Sequence, residues 1–78
     1  LWGFEAMSVD KLYNHLISNK IKPQRKALIA ILDTGVDGAQ EDLQANFKSI
    51  KTQYDNDPVG HGTHCAGIAA AVSNNGVG

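Results

Sequence analysis

Two short stretches of this chain carry the residue types that acyl-transfer chemistry uses. Asp33-Thr34-Gly35 puts a carboxylate directly after an apolar run, residues 27–32, and His61-Gly62-Thr63-His64-Cys65-Ala66-Gly67 opens a small-residue segment with an imidazole. An acid that holds a histidine in one tautomer, and a histidine that takes a proton from a nucleophile, are two of the three parts such chemistry needs. Taken singly, each residue has a plainer reading. An aspartate after an apolar run is usually a turn former or a helix cap, and a lone buried histidine is usually a hydrogen-bonded core residue. Both together, in this order and 28 residues apart, favour chemistry. His61 and His64 lie three apart, on neighbouring positions of one helical face. A base needs an open edge, so His61, at the helix start, is the expected one.

These side chains need elements to hold them. Val9, Leu12, Tyr13, Leu16 and Ile17 recur at helical spacing, which predicts one amphipathic helix from Ser8 to about Ser18, with Ser8 as N-cap and Asn19 as a stop. Residues 19–26 are polar and basic and contain Pro23, a connecting loop whose charges are solvated. Residues 27–32 are continuously apolar over the length of a strand, the pattern of a parallel strand covered on both faces. A carboxylate at the carboxyl end of such a strand sits where open α/β sheets gather functional groups. A second strand is expected near residues 47–50, and a loop over residues 53–60, where Asp55-Asn56-Asp57-Pro58 has turn chemistry. From His61 to about Val72 the Gly/Ala-rich sequence predicts a helix that is central and buried. The resulting expectation is an α/β layered fold.

With 78 residues the chain is at the edge of what one core supports, since domains of this size bury only about 60% of their unfolded surface. It starts at Leu1 and stops at Gly78 in a Gly/Asn-rich turn, so both ends are expected to be cuts. Seven Lys and Arg against eight Asp and Glu give no field that would attract nucleic acid or an anionic membrane. No apolar stretch reaches the roughly 18 residues of a membrane span, and no signal-peptide pattern opens the chain. One cysteine excludes an internal disulfide and leaves the redox compartment open.

The segment Asp33-Thr34-Gly35-Val36-Asp37 with Asp42-Leu43 beyond it, and the block from His61 through Val72, resemble the subtilisin-like serine proteases, in particular the thermitase- and proteinase K-like members. The resemblance implies that residues 1–78 are the N-terminal part of a catalytic domain with a three-layer α/β fold and a mainly parallel sheet. It implies Asp33 as orienting acid, His61 as general base, His64 and Cys65 as supporting residues, and a serine endopeptidase acting on proteins or peptides. Cys65 is expected beneath the histidine, unpaired and not the nucleophile. The family's structural calcium site implies Asp42, the Asn75 side chain and the carbonyls of Val72 and Val77 as partial ligands, an oxygen set suited to calcium. No catalytic cofactor is implied, and the protein is expected to be secreted and monomeric. Ser8, Ser18, Ser49 and Ser73 all lie outside the Gly-Thr-Ser-Met-Ala setting of the family's nucleophile, so this chain alone is expected to be inactive.

Other readings remain open. Leu32-Asp33-Thr34-Gly35 also matches the active-site turn of aspartic proteases, whose retroviral-type members are short homodimers in which two such aspartates share a proton, but that leaves the His61 block without purpose. A zinc module using Asp33, His61, His64 and Cys65 has thin ligand spacing. Asp55, Asn56 and Asp57 invite a second calcium site, with an ordinary turn favoured. A relative that kept the fold and lost the serine would be a binding or scaffold domain.

Overall fold

The computed structural model describes residues 2–73. Two helices open the chain, α1 (Trp2–Ala6) and α2 (Val9–Ser18), and α1 packs against α2. The expected helix starts where the periodicity placed it, one residue after Ser8. Ser8 stands at the N-cap position with φ 58°, and its side chain makes no capping bond. The stop is more elaborate than an asparagine alone. Lys20 takes the left-handed conformation (φ 54°), its N–H donates to the Ile17 carbonyl, and the Ile21 N–H donates to the Leu16 carbonyl at 2.8 Å. This paired closure satisfies carbonyls that the last turn would otherwise leave open, and it is usually built on glycine. The Asn19 amide adds a bond to the His15 carbonyl at 2.8 Å.

The expected α/β architecture, a three-layer fold around a mainly parallel sheet, is overturned. Among the described residues there is no strand and no sheet, and the regular elements are all helical. Residues 27–32 and 47–50, both expected as strands, carry no regular secondary structure. A strand exists through the ladder it shares with a neighbour, and no backbone hydrogen bond joins residues 27–32 to another described segment. The apolar run encodes a preference for burial, but it does not supply its own partner. Leu28 and Leu32 are accordingly 82% and 92% exposed. The whole run, residues 27–32, borders an open apolar trough of about 750 Å³, with Leu43, Phe47, Ala66 and Ala70 on its other walls.

After the Asp33 turn the chain bends through residues 38–43 and makes two single-turn 3₁₀ helices, Gln44–Asn46 and Thr52–Tyr54. It then enters α3 (His61–Ala70) from Gly60, whose φ of 95° few other residues would tolerate. The helix ends two residues short of the expected Val72. It is also less buried than its Gly/Ala content suggested, with Gly62 and Ala66 its buried positions. Leu43 and Ala66, 4% and 6% exposed, are the buried apolar residues of the described structure.

Both ends of α3 are tied to the rest of the chain. At its C-terminus the Asn46 amide donates to the Ala70 carbonyl at 2.8 Å, and the Val72 N–H donates to the Asp42 carbonyl at 2.7 Å. At its N-terminus the acid-bearing loop closes against the first turn. No helix among the described residues is long and apolar enough to cross a membrane.

Candidate active site

The acid loop and the first turn of α3 approach so closely that glycine is required between them. A Cβ on Gly62 would overlap the Gly35 carbonyl oxygen and stand 3.2 Å from the Asp33 Cβ. Gly35 has φ 113°, and a side chain there would overlap the Asn56 carbonyl oxygen. Backbone packed to this density brings His61, which precedes Gly62, and Asp33, two residues before Gly35, within hydrogen-bonding distance across 28 positions of sequence.

The pair so formed is Asp33 and His61. His61 Nδ1 lies 2.9 Å from Asp33 Oδ1 and 2.8 Å from Oδ2. The hydrogen bond to His61, together with one from the Thr34 N–H to Oδ1 at 2.7 Å, holds the Asp33 carboxyl below its ordinary value of 3.8. At neutral pH Asp33 is therefore an ionised, acceptor-only group. The proton between them belongs to Nδ1, and the lone pair of the neutral imidazole is left on Nε2. The Asp33 side chain is 20% exposed and the His61 side chain 67%, so the acid is largely covered while an edge of the base stays open. An imidazole fixed in this tautomer can accept a proton at Nε2 and return it later.

Cys65, one turn along α3, is half-buried, with Sγ 3.8 Å from His61 Nδ1. The structure thus brings Asp33, His61 and Cys65 together, with one ligand-type atom from each within 4.8 Å of the others. His64 is not brought in. It is exposed, its N–H continues the helix to the Gly60 carbonyl, and its ring makes no hydrogen bond among the described residues. The zinc reading loses a donor by this. Facing Asp33 is the imidazole of His61, the block for which the aspartic-protease reading has no use.

Of the candidate calcium ligands, Asp42 is half-buried and is joined to Val72 by the bond from the Val72 N–H to the Asp42 carbonyl. Asn75 and Val77 lie outside the described residues.

Asp57 was read as part of an ordinary turn and is more than that. Its Oδ1 accepts hydrogen bonds from the Thr34 hydroxyl at 2.7 Å, the Gly60 N–H at 2.9 Å and the Val59 N–H at 3.2 Å. Its Oδ2 accepts from the N–H and the hydroxyl of Thr63 at 2.9 and 2.8 Å. Burial alone would raise its pKa. The bonds from the Gly60 and Thr63 N–H groups and from the two threonine hydroxyls outweigh that and hold it far below the usual carboxylate range. Oxygens so fully used by donors have little left for a cation, so the second calcium site expected as an alternative at Asp55, Asn56 and Asp57 has no support at Asp57. A sequence signal was present: an acid a few residues before a helix start meets that helix's free N–H groups and its positive end.

A family model described as the subtilase family matches residues 24–78. Thermitase of Thermoactinomyces vulgaris is 51% identical over 57 residues, covering 67% of this chain and 20% of thermitase. A thermophilic serine proteinase of Bacillus sp. (strain AK1) is 49% identical over 55 residues, 64% of this chain and 14% of the relative. The cell wall-associated protease of Bacillus subtilis (strain 168) is 39% identical over 69 residues, 76% and 8% of the respective chains. The chain thus spans a fifth or less of the length of these curated relatives. No solved structure matches it at a significant level.

Proposed function

The chain belongs to the subtilase family, and from that membership we propose that it forms the acid- and base-bearing part of a serine-type endopeptidase. The observation that carries the reading is the His61–Asp33 pair, with Nδ1 held by both carboxylate oxygens and the imidazole open to its surroundings. In the full-length protein, His61 Nε2 takes the proton of a serine hydroxyl as that oxygen attacks the scissile carbonyl. The imidazolium so formed is stabilised by the ionised Asp33 and hands its proton to the leaving amine. A water attacking the acyl-enzyme repeats the cycle. Asp33 does not itself take the proton, because its depressed pKa keeps it a poor acceptor.

The nucleophile lies elsewhere in the full-length protein. No serine of residues 2–73 is hydrogen-bonded to His61. Loss of the nucleophile alone costs on the order of 10⁶ in kcat, so the isolated chain is expected to leave peptides uncut. Proteins or peptides are the substrates, and the enzyme works as a monomer without nucleic acid, consistent with the balanced charge. A relative described as a cell wall-associated protease supports export.

A structural calcium ion belongs to the same reading. Asp42 and Val72 would hold it together with Asn75 and Val77, an all-oxygen donor set, and the hydrogen bond between Val72 and Asp42 already joins two members of that set. Its contribution would be rigidity at the C-terminal end of α3, and a chelator should then lower the melting temperature.

The direct test is a fluorophosphonate probe on the full-length protein. Stoichiometric labelling of one serine, lost in His61→Ala, supports the reading. A folded protein that neither reacts with the probe nor cleaves casein overturns it in favour of a binding domain.

A further inference from the structure

We propose that Asp57 is a positioning residue of this site: through the hydroxyls of Thr34 and Thr63 its carboxylate locks the acid loop to the first turn of α3 and so sets the separation of Asp33 from His61. The inference rests on the endopeptidase reading for its catalytic consequence, but its geometry stands apart from it.

Two hydroxyl protons, and the way each points, decide how the junction closes. A threonine hydroxyl has one proton to give and lone pairs to receive. Thr34 Oγ1 lies 2.7 Å from Asp57 Oδ1 and 3.0 Å from the Gly62 nitrogen. The Gly62 N–H can only donate, so the Thr34 hydroxyl must accept there and spend its proton on Asp57. Thr63 repeats the pattern. Its hydroxyl lies 2.8 Å from Asp57 Oδ2 and accepts the Asp37 N–H at 2.9 Å. An ionised carboxylate can only accept, and it therefore fixes the sense of both hydroxyls at once.

Each hydroxyl then joins the acid loop to α3. Thr34 follows Asp33, and Gly62 follows His61, so the bond from the Gly62 N–H to Thr34 ties the neighbour of the acid to the neighbour of the base. Thr63 ties the next residue of α3 to Asp37 on the far side of the same loop. A simple helix cap would satisfy the Thr63 N–H and stop. Asp57 reaches 23 positions back to Thr34 as well, a contact that serves the junction rather than the helix.

Asparagine at position 57 would present an amide N–H₂ to one of the two hydroxyls. That hydroxyl must reverse, and its proton then faces another N–H across the junction. The loop and the helix are expected to separate, and the Asp33–His61 bond to lengthen. Misplacement of reacting groups by about 1 Å costs on the order of 10²-fold in rate.

The test uses the full-length protein with Asp57→Asn, Thr34→Val, Thr34→Ser and the double variant Asp57→Asn/Thr34→Val. Two readouts are taken: kcat and KM on a peptide substrate, and the low-field His61 Nδ1–H proton signal by NMR, which reports the hydrogen bond to Asp33. The charged and titratable groups facing His61 are Asp33 from the acid loop and Cys65 from its own helix, with Asp57 behind the junction. Thr34→Val changes no charge, so a change of that signal in it follows the loss of the Thr34 hydroxyl from the junction.

The proposal expects the Nδ1–H signal to move upfield or vanish in Asp57→Asn and in Thr34→Val, as that bond lengthens, and kcat to fall by about 10²-fold with KM nearly constant. It expects Thr34→Ser, which restores the hydroxyl, to recover most of the loss, and the double variant to be no worse than either single one. Lowered melting temperatures with the Nδ1–H signal and kcat unchanged would mean a merely structural role and overturn it. So would multiplicative losses in the double variant. Thr63→Val, judged by the same criteria, replaces Thr34→Val if the latter does not fold. The Nδ1–H signal is read whether or not the protein cleaves peptides, so failure of the endopeptidase reading is distinguishable from failure of this one.

Discussion

Gly62→Ala sets local preference directly against the geometry of the site. By intrinsic propensity alanine in a helix is favoured over glycine by about 1 kcal/mol, and an isolated α3 should gain from the change. In the folded protein the added methyl would overlap the Gly35 carbonyl oxygen and crowd the Asp33 Cβ at 3.2 Å. Both neighbours belong to backbone or to a short side chain, so neither can swing away, and the acid loop must retreat by on the order of 1 Å to reach normal carbon contact distances. That retreat takes Asp33 from 2.8–2.9 Å out of hydrogen-bonding range of His61 and breaks the bond from the Gly62 N–H to Thr34. Misplacement of this size is expected to cost about 10²-fold in kcat, equivalent to about 2.7 kcal/mol of barrier. The assay is steady-state hydrolysis of a chromogenic peptide by the full-length enzyme, with active sites counted by burst titration so that misfolded protein is not mistaken for slow protein. A Gly62→Ala enzyme with kcat within twofold of the parent would refute the claim that backbone contact sets the acid–base distance.

Acid should weaken the same junction. The Asp33 and Asp57 carboxyls both titrate below their ordinary value of 3.8, so their contribution to stability is full above that value and is lost as pH falls through their lower folded values. The urea midpoint should therefore drop on acidification below about pH 4 and drop less steeply in Asp57→Asn; equal slopes would contradict this. A stoichiometric mercurial on Cys65, whose sulfur lies 3.8 Å from His61 Nδ1, should abolish activity in the parent and not in Cys65→Ser; a labelled but fully active enzyme would count against that placement. Lys20→Gly should raise stability by roughly 0.5–1 kcal/mol, because glycine occupies the left-handed φ of 54° without the steric cost that lysine bears. An unchanged or lower urea midpoint would argue against the strain.

The sequence made some of this legible and hid the rest for definable reasons. Asp33 and His61 were readable because each sits in a distinctive local string, and the structure places them within a hydrogen bond of each other. Helix α2 was readable because five apolar residues repeat at helical spacing, though its stop required Lys20 in a conformation that favours glycine. The sheet was misjudged because six apolar residues in a row describe an environment, and a strand also needs a neighbour that residues 27–32 lack among the described residues. Burial of α3 was overestimated on the same ground, since small residues permit close packing without supplying the surface that packs. Asp57 is legible as a turn residue ahead of a helix start but not as a link to the acid loop, because its partner there, Thr34, lies 23 positions away and no local pattern encodes that contact.

The central claim is that Asp33 holds His61 as the general base of a serine endopeptidase, and one substitution addresses it most directly. Asp33→Asn keeps the size of the side chain and can still hydrogen-bond Nδ1, but its amide donates where the carboxylate accepted, so the imidazole proton moves to Nε2 and the base is lost. Measured on the full-length protein, kcat for Asp33→Asn should fall by about 10⁴-fold with little change in KM. Near-full activity of that variant would remove Asp33 from the catalytic apparatus.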